Sequence, residues 1–216
     1  MNIIAFNGSP RKDWNTANLL NKALEGAASK GATTELIHLY DLNYKGCISC
    51  FACKTKNGKS YGRCPVNDDL KDVFRKVEEV DAIILGSPIY FGRVSGEMAS
   101  FLDRLLFQYL EYSNTGRSLF PDKIVTAFIY TMNVTEEMMK VAGMDVPIKI
   151  NEMALKRIFG STETLLSFDT CQFEDYSKVV STMFDPHAKA IRRVEVFPKD
   201  CQKSFELGAR LAEKAI

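Results

Sequence analysis

Four polar residues follow the first apolar run of the chain: Ser9, Arg11, Asn15 and Thr16, set in Asn7-Gly8-Ser9-Pro10-Arg11-Lys12-Asp13-Trp14-Asn15-Thr16-Ala17. Two hydroxyls and an amide can donate to phosphate oxygens, and the guanidinium adds charge with a planar fork of donors. The spacing predicts a helix starting near Asn15. The first N–H groups of a helix have no internal partner and sit at the positive end of its dipole, which suits a phosphate. The predicted chemistry is the grip on a phosphorylated cofactor. A plain helix cap is the competing reading, although a cap needs only one such residue.

A second loop, Gly86-Ser87-Pro88-Ile89-Tyr90-Phe91-Gly92-Arg93-Val94-Ser95-Gly96, sets two aromatics between glycines. Flat aromatic and backbone surface suits the edge and face of a planar ring system. The plainer alternative is a strand-to-helix turn with Tyr90 and Phe91 in the core. No Gly-x-Gly-x-x-Gly follows the first strand, which disfavours a dinucleotide Rossmann site. Gly58-Lys59-Ser60 lacks both the earlier glycine and the preceding strand of a Walker A loop.

Four of the six cysteines fall in one window: Cys47, Cys50 and Cys53 at two-residue gaps, then Cys64 after ten residues. In a cytoplasmic chain such clustering points to metal or redox chemistry more than to disulfides. Three cysteines so spaced can wrap three corners of a cubane, with a fourth from farther along. The intervening Lys54 to Arg63 stretch is basic, which suits an anionic cluster or substrate and equally a solvated loop. The spacing alone assigns no metal ligand. A free-thiol or structural loop stays open, and zinc fits less well because paired CxxC halves are absent. Cys171 and Cys201 read as small buried apolar residues.

These residues need a scaffold. Apolar periodicity predicts strands at Ile3–Phe6, Thr34–Leu39, Asp81–Gly86, Lys123–Tyr130 and Glu163–Phe168. It predicts helices at Thr16–Ser29, Asp68–Glu79, Gly96–Leu110, Glu136–Phe159 with a break near Gly143 to Pro147, Pro186–Val196 and Lys199–Lys214, with Phe197-Pro198 between the last two. Strands alternating with helices imply an α/β fold, a parallel sheet covered on both faces. Ligands of such sheets bind beyond the carboxyl ends of the strands. The loops Asn7 to Asn15, Ser87 to Ser95 and Thr131 to Asn133 each follow a strand, so they should gather at one edge. The expected organisation is a single domain over 1–216, with a cysteine-containing insertion at about 43–67 and a helical extension at about 186–216.

The 216 residues are 46% apolar, enough for a full core. The balance of 28 Lys and Arg against 27 Asp and Glu gives no electrostatic reason to expect nucleic acid. No apolar run approaches bilayer length, and the N-terminal apolar stretch is too short for a signal peptide, so a soluble cytoplasmic protein with no membrane partner is expected. Phe101, Leu105, Phe107, Tyr109, Leu110 and Tyr112 offer more apolar surface than one helix face buries, which suggests either a subunit interface or a deeply buried helix.

Gly8-Ser9-Pro10-Arg11 with Asn15-Thr16, then Ser87-Pro88-Ile89-Tyr90-Phe91-Gly92, then Leu102-Asp103-Arg104, resemble the NAD(P)H-dependent FMN reductase and iron–sulfur flavoprotein group of flavodoxin-like proteins, over about residues 1 to 170. The resemblance implies a flavodoxin-like, doubly wound five-stranded parallel sheet, non-covalent FMN, and a homodimer or homotetramer. It implies phosphate binding by Ser9, Arg11, Asn15, Thr16 and Ala17, and contact with the flavin ring by Pro88, Ile89, Tyr90, Phe91 and Gly92. Thr131, Met132 and Asn133 sit where the family's third flavin loop lies, although that loop often carries glycines and here has none. Cys47, Cys50, Cys53 and Cys64 resemble the family's 4Fe–4S motif, with a longer last gap. The implied activity is reduction of FMN by NADH or NADPH and its reoxidation by a small acceptor such as a quinone, an azo or nitro compound, or free flavin. The alternative is an iron–sulfur flavoprotein that carries electrons to and from ferredoxin-type partners. Flavin chemistry needs no protein acid or base, so no catalytic residue is assigned.

Overall fold

The computed structural model describes residues 1–114 and 116–214; the last two residues of the expected C-terminal extension lie outside the described residues. The chain folds as β1 (Asn2–Asn7), α1 (Asn15–Ala28), β2 (Thr33–His38), α2 (Leu70–Glu78), β3 (Ala82–Tyr90), β4 (Arg93–Val94), α3 (Gly96–Tyr109), β5 (Ile124–Thr131), α4 (Glu136–Val141), α5 (Asp145–Phe159), β6 (Gly160–Ser167), α6 (Pro186–Ile191) and α7 (Phe197–Lys214). The long strands run in the order β2-β1-β3-β5-β6, and every neighbouring pair in that order is parallel. This is an α/β fold of the flavodoxin-like type.

Side-chain alternation in the strands divides the core. Ile4, Phe6, Ile83, Leu85, Phe128 and Tyr130 face α2, α3 and α5. Ile3, Ala5, Ala82, Ile84, Ala127 and Ile129 face α1 and α7. A strand presents successive residues to opposite faces, so near-continuous apolar runs are what a sheet buried on both sides requires.

On the second face, α1 and α7 approach backbone to backbone. A Cβ on Gly208 would lie 1.8 Å from the Ala23 carbonyl oxygen, and one on Gly26 would lie 1.9 Å from the Phe205 carbonyl oxygen. Glycine is the residue that admits so close a crossing.

Two local expectations are corrected and a third is located. The Ser87–Ser95 loop is a hairpin: β3 runs on to Tyr90 and pairs antiparallel with β4, Tyr90 opposite Arg93. Its two turn residues, Phe91 and Gly92, both have positive φ (50° and 80°), as a type I′ turn demands. The expected break near Gly143 to Pro147 lies before Asp145, because Gly143 is left-handed and Pro147 sits in the first turn of α5, where its missing N–H costs nothing. Phe197-Pro198 does not separate two helices. A π-helical segment, Arg192–Val196, joins α6 to α7 continuously, and Pro198 occupies the first turn of α7.

The helix expected to carry an excess of apolar surface divides its residues. Phe101, Leu105 and Tyr109 are buried, Phe107 and Leu110 are half-buried, and Tyr112 is exposed. Cys171 is buried and Cys201 is half-buried. No helix among the described residues is long and apolar enough to cross a membrane.

Candidate functional site at the carboxyl edge of the sheet

The loops after β1, β3, β5 and β6 meet in one cleft. Ser9, Arg11, Asn15, Thr16, Pro88, Ile89, Tyr90, Thr131, Met132 and Asn133 line it, together with Trp14, Thr170, Cys171 and Gln172. Short hydrogen bonds weld the loops together. Gly8 N–H donates to the Gly86 carbonyl at 2.8 Å. The Ser95 hydroxyl donates to the Gly8 carbonyl at 2.5 Å while its oxygen accepts from Met98 N–H, so the residue that caps α3 also fixes the first loop. Asn7 Oδ1 accepts from Ser9 N–H, and Ser9 Oγ accepts from Arg11 N–H, which folds the first loop on itself.

The start of α1 opens on this cleft. Trp14 occupies its N-cap position and makes no capping hydrogen bond, and the first turn carries no acid. By contrast, α3, α4 and α6 are capped by Ser95, Thr135 and Asp185. The leading N–H groups of α1 therefore keep their affinity for an anion. Arg11 forms no ion pair among the described residues; both its terminal nitrogens donate to the Gln172 carbonyl at 2.7 Å. Asn15 Nδ2 and Trp14 Nε1 donate to the Cys171 carbonyl. Two cations lie over the indole of Trp14, the Arg11 guanidinium 4.7 Å and that of Arg193 4.6 Å from the ring centre. Asn133 donates to Gln172 Oε1, and its own buried Oδ1 has no hydrogen-bond partner among the described residues. A cofactor phosphate and a ring with N–H donors fit this set of uncapped amides, a guanidinium and a spare acceptor.

Three expected site residues do not line the cleft. Ala17 is buried in the core behind the first turn of α1. Phe91 is fully exposed, and Gly92 completes its turn, because a two-residue hairpin loop projects its tip away from the strands. Tyr90 does line the cleft. Burial pushes its phenol pKa up, and Arg11 opposes that rise.

Sequence reasoning missed Trp14 and Thr170 to Gln172, and the latter follow β6 as a strap. Thr170 N–H donates to the Met132 carbonyl, and Asp169 N–H to the Val134 carbonyl. Buried Lys189 of α6 pins the strap from behind, donating to the Asn133 carbonyl at 2.7 Å and pairing with Asp169.

A second site lies along α3. Cys47, Cys50, Cys53 and Cys64 line one cavity with Phe51, Phe107, Arg104 and Gln108. Ser49 and Phe51 both have positive φ (54° and 55°), which bends the CxxCxxC stretch tightly. The basic insert is closed by a hydrogen bond from Gly62 N–H to the Cys53 carbonyl at 3.0 Å, so the long gap still returns Cys64 beside Cys53. Burial pushes the Cys53 thiol up, and neighbouring Lys54 opposes it. No three His, Cys, Asp or Glu among the described residues gather tightly enough for one metal ion. A cubane sets its ligands farther apart than a single ion does. Arg104 Nε and Gln108 Nε2, both buried and both without a hydrogen-bond partner among the described residues, border the cavity. Unpaired buried donors are expensive unless an acceptor fills the space, and an anionic sulfur-rich group fits them.

Residues 1–144 match the family described as NADPH-dependent FMN reductase. An iron–sulfur flavoprotein of Methanocaldococcus jannaschii is 42% identical over 104 residues, 48% of this chain and 51% of that one. An iron–sulfur flavoprotein of Archaeoglobus fulgidus is 40% identical over 104 residues, 48% of each chain. The matched region spans about half the length of these curated relatives. Among solved structures, an NAD(P)H:quinone oxidoreductase from Methanothermobacter marburgensis is similar with a TM-score of 0.69 at 14% identity, covering 98% of each chain. An FMN-dependent NADH-azoreductase from Bacillus anthracis, in complex with FMN, gives 0.64 at 12% identity over 98% of this chain and 99% of that one. At these identities the structural likeness is one of fold. With two thirds of its length covered by the family match, the chain belongs to the NADPH-dependent FMN reductase family.

Proposed function

We propose that the protein is an FMN-dependent oxidoreductase in which NAD(P)H reduces the flavin and a small acceptor, such as a quinone, an azo or nitro compound, or free flavin, reoxidises it. One observation carries this reading: ten of the thirteen residues expected at the flavin line a single cleft at the carboxyl edge of the sheet. FMN supplies the hydride and single-electron chemistry when bound. Ser9, Asn15 and the α1 amides bind its phosphate, with Arg11 neutralising charge. Tyr90, Pro88 and Ile89 offer a flat apolar wall to the ring, and Asn133 Oδ1 accepts from it. Lys189 holds the strap and the β5 loop at a fixed separation.

A second reading is favoured by the four-cysteine cavity and by the iron–sulfur flavoprotein relatives. Here Cys47, Cys50, Cys53 and Cys64 hold a 4Fe–4S cluster, and the protein carries electrons for a ferredoxin-type partner. A homodimer or homotetramer belongs to either reading. Exposed Phe51, Tyr112, Ile150 and Met153 border a groove of about 810 Å³ between α3 and α5 that would be covered in such an assembly.

Absorbance of anaerobically purified protein, with iron and sulfide analysis, separates the readings. Flavin bands that bleach with NAD(P)H support the first. Broad additional absorbance with iron and sulfide, and no NAD(P)H oxidation, supports the second. Colourless protein that takes up no FMN on titration sinks both.

A further inference from the structure

Five buried side-chain atoms lack a hydrogen-bond partner among the described residues, and two of them border the cysteine cavity. They belong to Arg104 and Gln108, one turn apart on α3 and exposed by only 3% and 2%. Every other polar atom of the two groups has a partner. Arg104 Nη1 donates to Asp68 Oδ2 at 2.5 Å and to the Lys45 carbonyl, and Nη2 donates to Asp68 Oδ1 at 3.0 Å. Only Nε–H remains. Gln108 Oε1 accepts the Cys64 N–H at 2.9 Å, which fixes the orientation of the amide and leaves Nε2 as the spare donor. Lys54 is the other cation nearby, but its ammonium is bound to the carbonyls of Gln108 and Leu110. With two of its three N–H donors so placed and the ammonium 4.9 Å from the centre of the Phe107 ring, it contributes mainly charge.

We propose that Arg104 Nε–H and Gln108 Nε2–H donate to sulfur atoms of a 4Fe–4S cluster held by Cys47, Cys50, Cys53 and Cys64, and raise its reduction potential. The proposal rests on the cluster reading above. Reduction adds one electron, breaks no bond and increases the negative charge on the cluster by one. Donors aimed at its sulfurs therefore favour the reduced state more than the oxidised one, which is how hydrogen bonds to sulfur tune these centres. The Asp68 pair matters for the same reason. It grips both Nη atoms, which fixes the plane of the guanidinium, and offsets part of its charge.

The test uses full-length protein purified anaerobically and reconstituted with iron and sulfide. Arg104→Lys keeps a cation opposite Asp68 and removes Nε–H. Gln108→Met keeps the bulk and removes the donor. Each variant is expected to retain iron and sulfide, while its one-electron reduction constant falls about fivefold to tenfold, a tenfold fall being about 59 mV. The shift of the Fe–S stretching bands on transfer to D2O is expected in the wild type and should shrink in both variants. Full clusters with unmoved potentials in both variants overturn the proposal, as does a wild type whose bands ignore D2O. If neither variant assembles a cluster, the two side chains build the site rather than tune it, and the proposal is overturned. If the reconstituted wild type holds no iron or sulfide, the cluster reading itself fails and takes the proposal with it.

Discussion

The Thr16 and Thr131 hydroxyls lie 2.8 Å apart, buried, although 115 positions separate them in the chain. One belongs to the first turn of α1 and the other to the last position of β5. This bond closes the floor of the cleft between the loop expected to hold a phosphate and the loop expected to meet the ring.

Replacing Thr131 with Val should therefore leave the Thr16 hydroxyl buried and alone. The unfolding free energy is expected to fall by about 1–2 kcal/mol, and the Thr16→Val/Thr131→Val double variant should lose less than the two singles added together. Urea denaturation of the four proteins measures the coupling. Strict additivity would mean that the two hydroxyls do not interact in solution.

Arg11 is the one charged side chain in the first loop that lines the cleft. Arg11→Ala should weaken FMN binding about tenfold to a hundredfold, the worth of one charge-assisted bond, and Arg11→Lys should recover part of it. Isothermal titration calorimetry on apoprotein gives the comparison. An unchanged affinity in Arg11→Ala would remove the phosphate role from this residue.

The α1–α7 crossing has no room for a methyl group. Gly208→Ala should destabilise the protein by about 1–3 kcal/mol through overpacking, despite the better helix propensity of alanine. Gly31→Ser offers a contrast in which only backbone strain acts, because a Cβ there would meet no atom within 4 Å while φ is +85°. Thermal melts of both variants separate crowding from strain. Equal and small losses would argue against a tight crossing.

Glu163 of β6 bonds Lys214 at 2.7 Å and Arg210 at 3.1 Å, tying the sheet edge to α7. Burial works to raise its pKa, but the two cations win and hold the carboxylate below its ordinary range. A depressed carboxylate stabilises the fold above its unfolded pKa, about 4.3, and that contribution disappears as pH falls through the folded value. The difference in melting temperature between wild type and Glu163→Gln should accordingly be largest near pH 6 and shrink toward about pH 3. A difference that does not change with pH would assign the effect to packing.

Much of this was legible in the amino-acid order. Unbroken apolar runs such as Ala82-Ile83-Ile84-Leu85 announced strands buried on both faces, and polar loops after alternate strands announced the cleft. The strap after β6 was not legible. Cys171 and Gln172 contribute main-chain carbonyls to Trp14, Asn15 and Arg11, and a carbonyl leaves no mark in residue type. The hairpin at Phe91-Gly92 was hidden because phenylalanine is an uncommon residue at positive φ. The continuity of α6 and α7 was masked by Pro198, which reads as a breaker until the π turn before it is seen. The long gap before Cys64 obscured a loop that returns to its starting point.

Trp14 is the sole tryptophan of the chain, and it stands in the cleft with two guanidiniums against its ring. A single intrinsic indole fluorophore thus sits where an incoming ligand must disturb its surroundings. Ultraviolet emission of the unlabelled protein, excited at the red edge of the indole band, should register occupancy directly, uncontaminated by signals from elsewhere in the fold.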